Sequence, residues 1–173
     1  MKAILLAGSS IKNKPWIESL EQELKDDFET KIQYYKHWEA GETETNLNFE
    51  TEELSKRIHE GDIIIAKSVG ILITYNTIKT KCIEPKALVF IVIPVTLAEE
   101  IHFPLQEFII ETNIPLLIIQ NEHDPLGSAE AVKKIIKERK NTTIIINKEN
   151  NTHYYGELEN IRKEIMRFLK NEV

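Results

Sequence analysis

The chain has 173 residues, of which 42% are hydrophobic and 29% are charged, and its formal net charge at pH 7 is −6. This length and composition fit one globular domain, residues 1–173, with a core of its own. An acidic chain without a lysine and arginine cluster is poorly suited to phosphate backbones, so we expect no nucleic-acid partner. The apolar runs are too short to span a bilayer, so we expect no membrane partner either.

A single cysteine, Cys82, excludes an internal disulfide, and the cysteine and the histidines do not have the spacing of a zinc site. We therefore expect a reducing, cytoplasmic location and no metal. The apolar run after Met1 is shorter than the roughly 7 residues that a secretion signal needs, so we interpret it as a buried strand.

In chain order, apolar runs predict six strands, at residues 3–7, 30–35, 63–66, 87–93, 115–120 and 142–147. Helical periodicity follows most of these runs, beginning with a helix that starts at Pro15. The polar segment 36–48 predicts a turn-like connection with an exposed His37. Segment 96–113 predicts a helical stretch interrupted at Pro104.

Strands that alternate with helices, and that are apolar throughout, predict a parallel sheet covered on both faces. The expected fold class is α/β, as a three-layer α/β/α sandwich around a six-stranded, mainly parallel sheet. Segment 96–113 is the one long connection, so we expect Ile101, Phe103, Leu105 or Phe108 to form one wall of a shallow pocket.

The third predicted strand runs into Ala66-Lys67-Ser68-Val69-Gly70 and then into an apolar helix. Small residues on both sides of Ser68 allow a tight strand-to-helix turn that exposes the serine hydroxyl. The amide of Val69 then faces the position at which an oxyanion would form. The same pentapeptide is also compatible with an ordinary turn.

The first predicted strand runs into Gly8-Ser9-Ser10. This loop has two interpretations: a phosphate cradle at a helix N-terminus, or the second amide of an oxyanion hole, from Ser9 or Ser10. It lacks the further glycines of a dinucleotide fingerprint and the Gly-Lys-Ser/Thr of a P-loop, which favours the second interpretation.

Two further polar side chains follow the fifth and sixth predicted strands. Asp124 lies in the loop after the fifth strand, with Glu122 as a reserve candidate, and His153 lies after the sixth. Open α/β sheets place functional groups at the carboxyl ends of their strands, although turn chemistry alone also explains Asp124-Pro125. The chain order Ser68, Asp124, His153 is that of α/β-hydrolases.

On these motifs the sequence resembles the small α/β-hydrolases of the retinoblastoma-binding-protein-nine and YdeN-like type. The resemblance covers essentially the whole chain and implies a minimal α/β-hydrolase fold. It also implies Ser68 as nucleophile, His153 as general base, Asp124 as the group that orients the base, and no cofactor. Ala66 replaces the usual first glycine of the elbow, and no glycine-rich run follows Gly8.

The function expected is that of a serine hydrolase acting on a small-molecule ester or related acyl substrate. Two alternatives stay open on the same sequence. One is a non-catalytic binding or interaction protein on an α/β-hydrolase fold, and the other is a nucleotide- or flavin-binding doubly wound domain that uses Gly8-Ser9-Ser10.

Overall fold

A computed structural model describes residues 1–137 and 139–173 of the chain. Strands and helices alternate along these residues. In order they are β1 (Lys2–Leu6), α1 (Asn13–Leu24), β2 (Glu29–Ile32), α2 (Lys36–Ala40), α3 (Leu47–Ser55), β3 (Ile63–Lys67), α4 (Val69–Lys81), β4 (Ala87–Ile91), α5 (Val95–Glu100), α6 (Leu105–Glu111), β5 (Leu116–Asn121), α7 (Ala129–Ile136), β6 (Thr142–Asn147) and α8 (Leu158–Glu172).

The six strands form one sheet in the order β2-β1-β3-β4-β5-β6. Every pair of neighbouring strands is parallel, so the sheet is wholly rather than mainly parallel. The predicted α/β sandwich is confirmed. Because all strands run the same way, all their carboxyl ends lie at one edge of the sheet, and so do the loops that follow them.

The sheet separates two apolar cores. Alternate strand residues such as Ile4 and Ile64 pack in one core with α3, α4, α6 and α7. Their neighbours Leu5 and Ile65 pack in the other core with α1 and α8. Burial on both faces explains why these strands are continuously apolar in sequence rather than alternating.

One segment differs from the sequence prediction, and the interruption predicted at Pro104 is confirmed. Segment 36–48 contains a short helix, α2, and His37 within it is buried, at 4% exposure, rather than exposed. Residues 95–111 form two separate helices, and Pro104 lies at the N-terminal boundary of the second. Pro104 can occupy that boundary because a residue there needs no hydrogen bond from its own nitrogen.

Candidate active site

Ser68 lies between β3 and α4 in a strained backbone conformation. Its φ is +51° and its ψ is −118°, and the residue is only 7% exposed rather than open to solvent as the sequence predicts. A non-glycine residue with positive φ costs about 1–3 kcal/mol and is retained where the surrounding structure imposes it. The sharp strand-to-helix turn predicted at Ser68 is therefore present in the structure.

The residues on either side explain how the turn fits. A Cβ on Gly70 would lie 2.7 Å from the Cβ of Leu6 and 3.0 Å from the carbonyl oxygen of Ala7, so only glycine lets α4 approach β1 this closely. Ala66 is fully buried in β3, paired with Leu6 on one side and Phe90 on the other. The alanine in place of the usual glycine is thus accommodated inside the sheet.

Asp124 and His153 are in direct contact. His153 Nδ1 lies 3.1 Å from each carboxylate oxygen of Asp124. A carboxylate can only accept, so Nδ1 is the ring nitrogen that carries the proton, and the neutral ring keeps its lone pair on Nε2. Asp124 is 3% exposed, whereas about a third of the His153 side chain is open to solvent.

Further hydrogen bonds hold the Asp124 carboxylate in place. The backbone amide of Leu126 donates to Oδ1 at 2.9 Å, and the hydroxyl of Tyr155 donates to Oδ2 at 3.1 Å. The same hydroxyl accepts from the amide of Asn121 at 2.9 Å. Burial raises the pKa of Tyr155 well above its usual range, so the phenol stays protonated and remains a donor.

Asn121 holds the loop that carries His153. Its Nδ2 donates to the carbonyl oxygens of Thr152 at 2.8 Å and Tyr154 at 3.2 Å, on either side of the histidine. Its Oδ1 accepts from Asn147 Nδ2 at 2.7 Å. Sequence analysis missed both Asn121 and Tyr155, although a polar residue at the end of an apolar strand was a signal for the first.

Glu122, the reserve candidate for the acid, serves another purpose. Its Oε2 accepts from the amide of Glu149 at 2.8 Å and lies 3.9 Å from His123 Nε2. It therefore ties the two loops after β5 and β6 together, while Asp124 is the carboxylate bonded to His153.

The predicted nucleophile is at the same edge of the sheet but is not bonded to the pair. Ser68 follows β3, and Asp124 and His153 follow β5 and β6. Within the described residues Ser68 makes no hydrogen bond to His153, and its side chain does not cap α4. In free enzymes such bonds are often long and tighten when substrate binds.

The candidate oxyanion residues come from two neighbouring strand ends, because β1 pairs directly with β3. Val69 opens α4, where the first backbone N–H groups have no acceptor within the helix. Ser9 and Ser10 lie in the loop after β1. The Ser10 carbonyl accepts from the amide of Asn13 at 2.8 Å and from its Nδ2 at 3.1 Å, which closes the loop onto α1.

Lys67, directly before Ser68, is 3% exposed. Its Nζ donates to Asn13 Oδ1 at 3.1 Å and lies 5.6 Å from the ring centre of Trp16. Burial lowers the pKa of Lys67 to about 8, and the negative charge of Asp124 opposes that shift. A buried lysine therefore links the turn at Ser68 to α1 and, through Asn13, to the candidate oxyanion loop, a contact that the sequence did not indicate.

An open groove of about 700 Å³ lies between residues 45–48, where α3 begins, and residues 101–104. Ile101 and Phe103 line it but Ser68, Asp124 and His153 do not, so a pocket wall from Ile101 and Phe103 beside the nucleophile stays a prediction. Leu105 and Phe108 do not line it, because they are 3% and 2% exposed and belong to the core. A second groove, of about 1090 Å³, lies between α5–α6 and α7.

The described residues provide neither a metal-binding cluster nor a membrane-spanning helix. Histidine, cysteine, aspartate and glutamate side chains form no cluster there that could hold a metal ion. None of the helices in residues 1–137 and 139–173 combines the length and the hydropathy that crossing a bilayer requires.

No protein-family model and no curated protein matches the chain. Several solved structures are similar to it. An uncharacterised protein from Bacillus cereus ATCC 10987 has a TM-score of 0.76 at 17% identity, over 98% of this chain and 60% of that one. A protein from Pectobacterium atrosepticum, described as a YdeN-like hydrolase, has a TM-score of 0.73 at 14% identity, over 99% of this chain and 92% of that one.

A third similar structure is MGS-MChE2, an α/β-hydrolase enzyme from a metagenome of lagoon sediments at Mar Chica, Morocco. Its TM-score is 0.69 at 13% identity, over 98% of this chain and 89% of that one. At such identities the similarity is one of fold. Together with the parallel sheet and the strained turn at Ser68, it shows that this chain has the α/β-hydrolase fold, in its small YdeN-like form.

Proposed function

We propose that this chain is a serine hydrolase that cleaves a small ester or related acyl substrate. The observation that carries the proposal is the bond from His153 Nδ1 to the buried carboxylate of Asp124, at the sheet edge where Ser68 occupies a strained elbow. A serine hydroxyl is a weak nucleophile by itself and needs a base whose tautomer and orientation are fixed. Asp124 supplies that fixation for His153.

In the proposed acylation step, the Ser68 oxygen attacks the acyl carbon while His153 Nε2 takes the serine proton. The carbonyl oxygen becomes an oxyanion, which accepts hydrogen bonds from the Val69 amide and from the amide of Ser9 or Ser10. The tetrahedral intermediate then collapses. The bond to the leaving alcohol breaks, and His153 gives that alcohol the proton.

Deacylation repeats the same chemical steps with water as the nucleophile. His153 takes a proton from the water, whose oxygen attacks the acyl-serine, and the carboxylic acid leaves as Ser68 regains its proton. The negative charge of Asp124 stabilises the imidazolium formed in each half-reaction. The scheme uses only side chains, backbone amides and water.

The compared structures support hydrolysis in general, since one is described as a YdeN-like hydrolase and another as an α/β-hydrolase enzyme. A small substrate is favoured by the β4–β5 connection, whose helices α5 and α6 pack into the core through Ala98, Leu105 and Phe108. Little of that connection is left to form a roof over Ser68.

Hydrolysis of p-nitrophenyl acetate by purified protein tests the proposal. We expect turnover with a burst of p-nitrophenol equal to the protein concentration, because the acyl-enzyme accumulates. Ser68→Ala removes the nucleophile and should abolish both. The matched control is Ser19→Ala, which removes an exposed hydroxyl on α1 and should change neither. Folded protein without Ser68-dependent turnover would instead favour a binding protein on this fold.

A further inference from the structure

Ser9, in the candidate oxyanion loop, is held by three side chains that follow β2. Its carbonyl oxygen accepts from His37 Nε2 at 2.7 Å and from Trp38 Nε1 at 2.6 Å. Its hydroxyl lies 2.6 Å from Thr45 Oγ1. We call His37, Trp38 and Thr45 the Ser9 clamp.

The bond to Ser9 fixes which ring nitrogen of His37 carries the proton. Because the Ser9 carbonyl can only accept, the neutral His37 ring carries its proton on Nε2, so Nδ1 is an acceptor. Among the described residues this Nδ1 is buried without a hydrogen-bond partner. The Ser9 carbonyl oxygen has two lone pairs, so it can accept from His37 and Trp38 together.

Aromatic packing fixes the direction of both clamp donors. The Tyr35 ring stacks on His37, with centroids 5.6 Å apart and planes 21° apart, and its centroid lies 4.8 Å from that of Trp38. The Tyr35 hydroxyl donates to the carbonyl of Ala7 at 2.6 Å. The chain after β2 thus holds two carbonyls of the segment that leaves β1.

Because the peptide bond is planar, fixing the Ser9 carbonyl also fixes the direction of the Ser10 N–H. The carbonyl of Ser9 and the N–H of Ser10 belong to one rigid unit and point opposite ways. In the sheet, β1 lies between β2 and β3. The clamp follows β2, on the other side of β1 from β3. With the Ser9 carbonyl held toward the clamp, the Ser10 amide would point away from it, toward the β3 side where Ser68 lies. The Thr45 contact restrains Ser9 itself, and with it the Ser9 amide.

We propose that His37 and Trp38 are positioning residues that keep the amides of the Ser9–Ser10 segment aimed at the oxyanion formed on a substrate at Ser68. This inference rests on the proposed serine-hydrolase function. His37 and Trp38 act through the backbone of Ser9 and do not themselves touch the substrate. Their effect is on the tetrahedral state, because only that state carries charge on the oxygen.

The test uses His37→Phe and Trp38→Phe, which keep an aromatic ring and lose the donor, with His37→Gln as the variant that keeps a donor. Each phenylalanine variant should lower kcat for p-nitrophenyl acetate by about 10- to 100-fold, since removing a whole oxyanion donor costs about 100- to 1000-fold. KM should stay within about threefold. His37→Gln should recover most of the loss. Tyr34→Phe, beside the clamp but bonded to Glu18, is the control.

A second measurement distinguishes a misdirected oxyanion amide from a general loss of structure. Affinity for an alkylboronic acid, which forms a tetrahedral anion on the serine, should fall in parallel with kcat, while affinity for the carboxylate product stays constant. Unchanged kcat and boronate affinity in folded phenylalanine variants would overturn the inference, as would equal losses in boronate and product affinity. A wild-type protein without Ser68-dependent hydrolysis would reject the proposed function, and this inference with it.

Discussion

His153 Nδ1 contacts both carboxylate oxygens of Asp124 at 3.1 Å, although the two residues are 29 positions apart in the chain. The contact arises because they follow neighbouring parallel strands, β5 and β6, and so leave the sheet at the same edge. One carboxylate thereby fixes which ring nitrogen is free to accept a proton.

Asp124→Asn should lower kcat/KM for ester hydrolysis by about 10³- to 10⁴-fold, because an amide can donate to Nδ1 and favours the wrong tautomer. Glu122→Gln is the matched control, since Glu122 lies two residues earlier and bonds to the amide of Glu149 instead. Steady-state kinetics of both variants check this. Comparable losses in the two variants would mean that Asp124 has no special relation to His153.

Asn121→Ala should weaken activity without touching the proposed triad. It removes the two donors that hold the carbonyls on either side of His153, and it lowers the free energy of unfolding by about 1–3 kcal/mol. We expect kcat to fall more than KM rises, because the histidine loses its fixed position. Urea unfolding and kinetics measure the two effects, and Asn160→Ala, an exposed asparagine on α8, serves as the control. A variant with normal kcat would show that the loop carrying His153 keeps its position without the hydrogen bonds from Asn121.

Lys67→Met should stabilise the protein at neutral pH. Burial lowers the pKa of Lys67 from 10.5 to about 8, so below pH 8 the folded state carries a charge that it disfavours. Between pH 8 and 10.5 the unfolded chain binds more protons than the folded one, and the stability of the wild type should rise with pH over that window. The variant should be more stable at pH 7 by up to about 3 kcal/mol and lose that advantage by pH 10.

Urea unfolding of both proteins at pH 7 and pH 10 checks this, because titration of the other groups cancels in the difference between them. A difference in stability that is the same at both pH values would contradict a depressed pKa at Lys67. If the variant is also less active, the link from Lys67 through Asn13 to the carbonyl of Ser10 is the structural reason.

Acyl chain length should matter little beyond a few carbons. Leu105 and Phe108 lie in the core rather than in a roof over Ser68, so little of the β4–β5 connection is left to enclose an acyl chain. Each methylene that finds apolar wall gains about 0.8 kcal/mol, whereas one exposed to water gains nothing. Catalytic efficiency on p-nitrophenyl esters from acetate to decanoate should peak early. A steady rise to decanoate would reveal an enclosed acyl site.

Most of the fold could be predicted because strands buried on both faces leave continuous apolar runs. The run at 142–147 matches β6 (Thr142–Asn147) residue for residue, and the helix after Ser68 is equally clear. Element ends were less certain. Helix α1 begins at Asn13 rather than Pro15, because capping turns depend on local backbone geometry more than on hydropathy.

Helix α2 and the burial of His37 could not be predicted. Segment 36–48 is polar and acidic, and His37 is held inside by a hydrogen bond to the carbonyl of Ser9, which lies 28 positions away in the chain. The local stacking of His37 on Tyr35 adds to its burial. The candidate triad residues were identifiable because each follows a strand. The sequence also favours Asp124 over Glu122 as the acid, and Asp124 is the carboxylate that contacts His153.

Covalent labelling with a fluorophosphonate, followed by mass-spectrometric mapping of the modified residue, tests the central claim most directly. The reagent reacts with a serine only where a base activates it, and the other serines have no such base in this scheme. We predict one label per chain, on Ser68, that is lost in Ser68→Ala and kept in Ser19→Ala. Labelling at another serine, or none on the folded protein, would contradict the account.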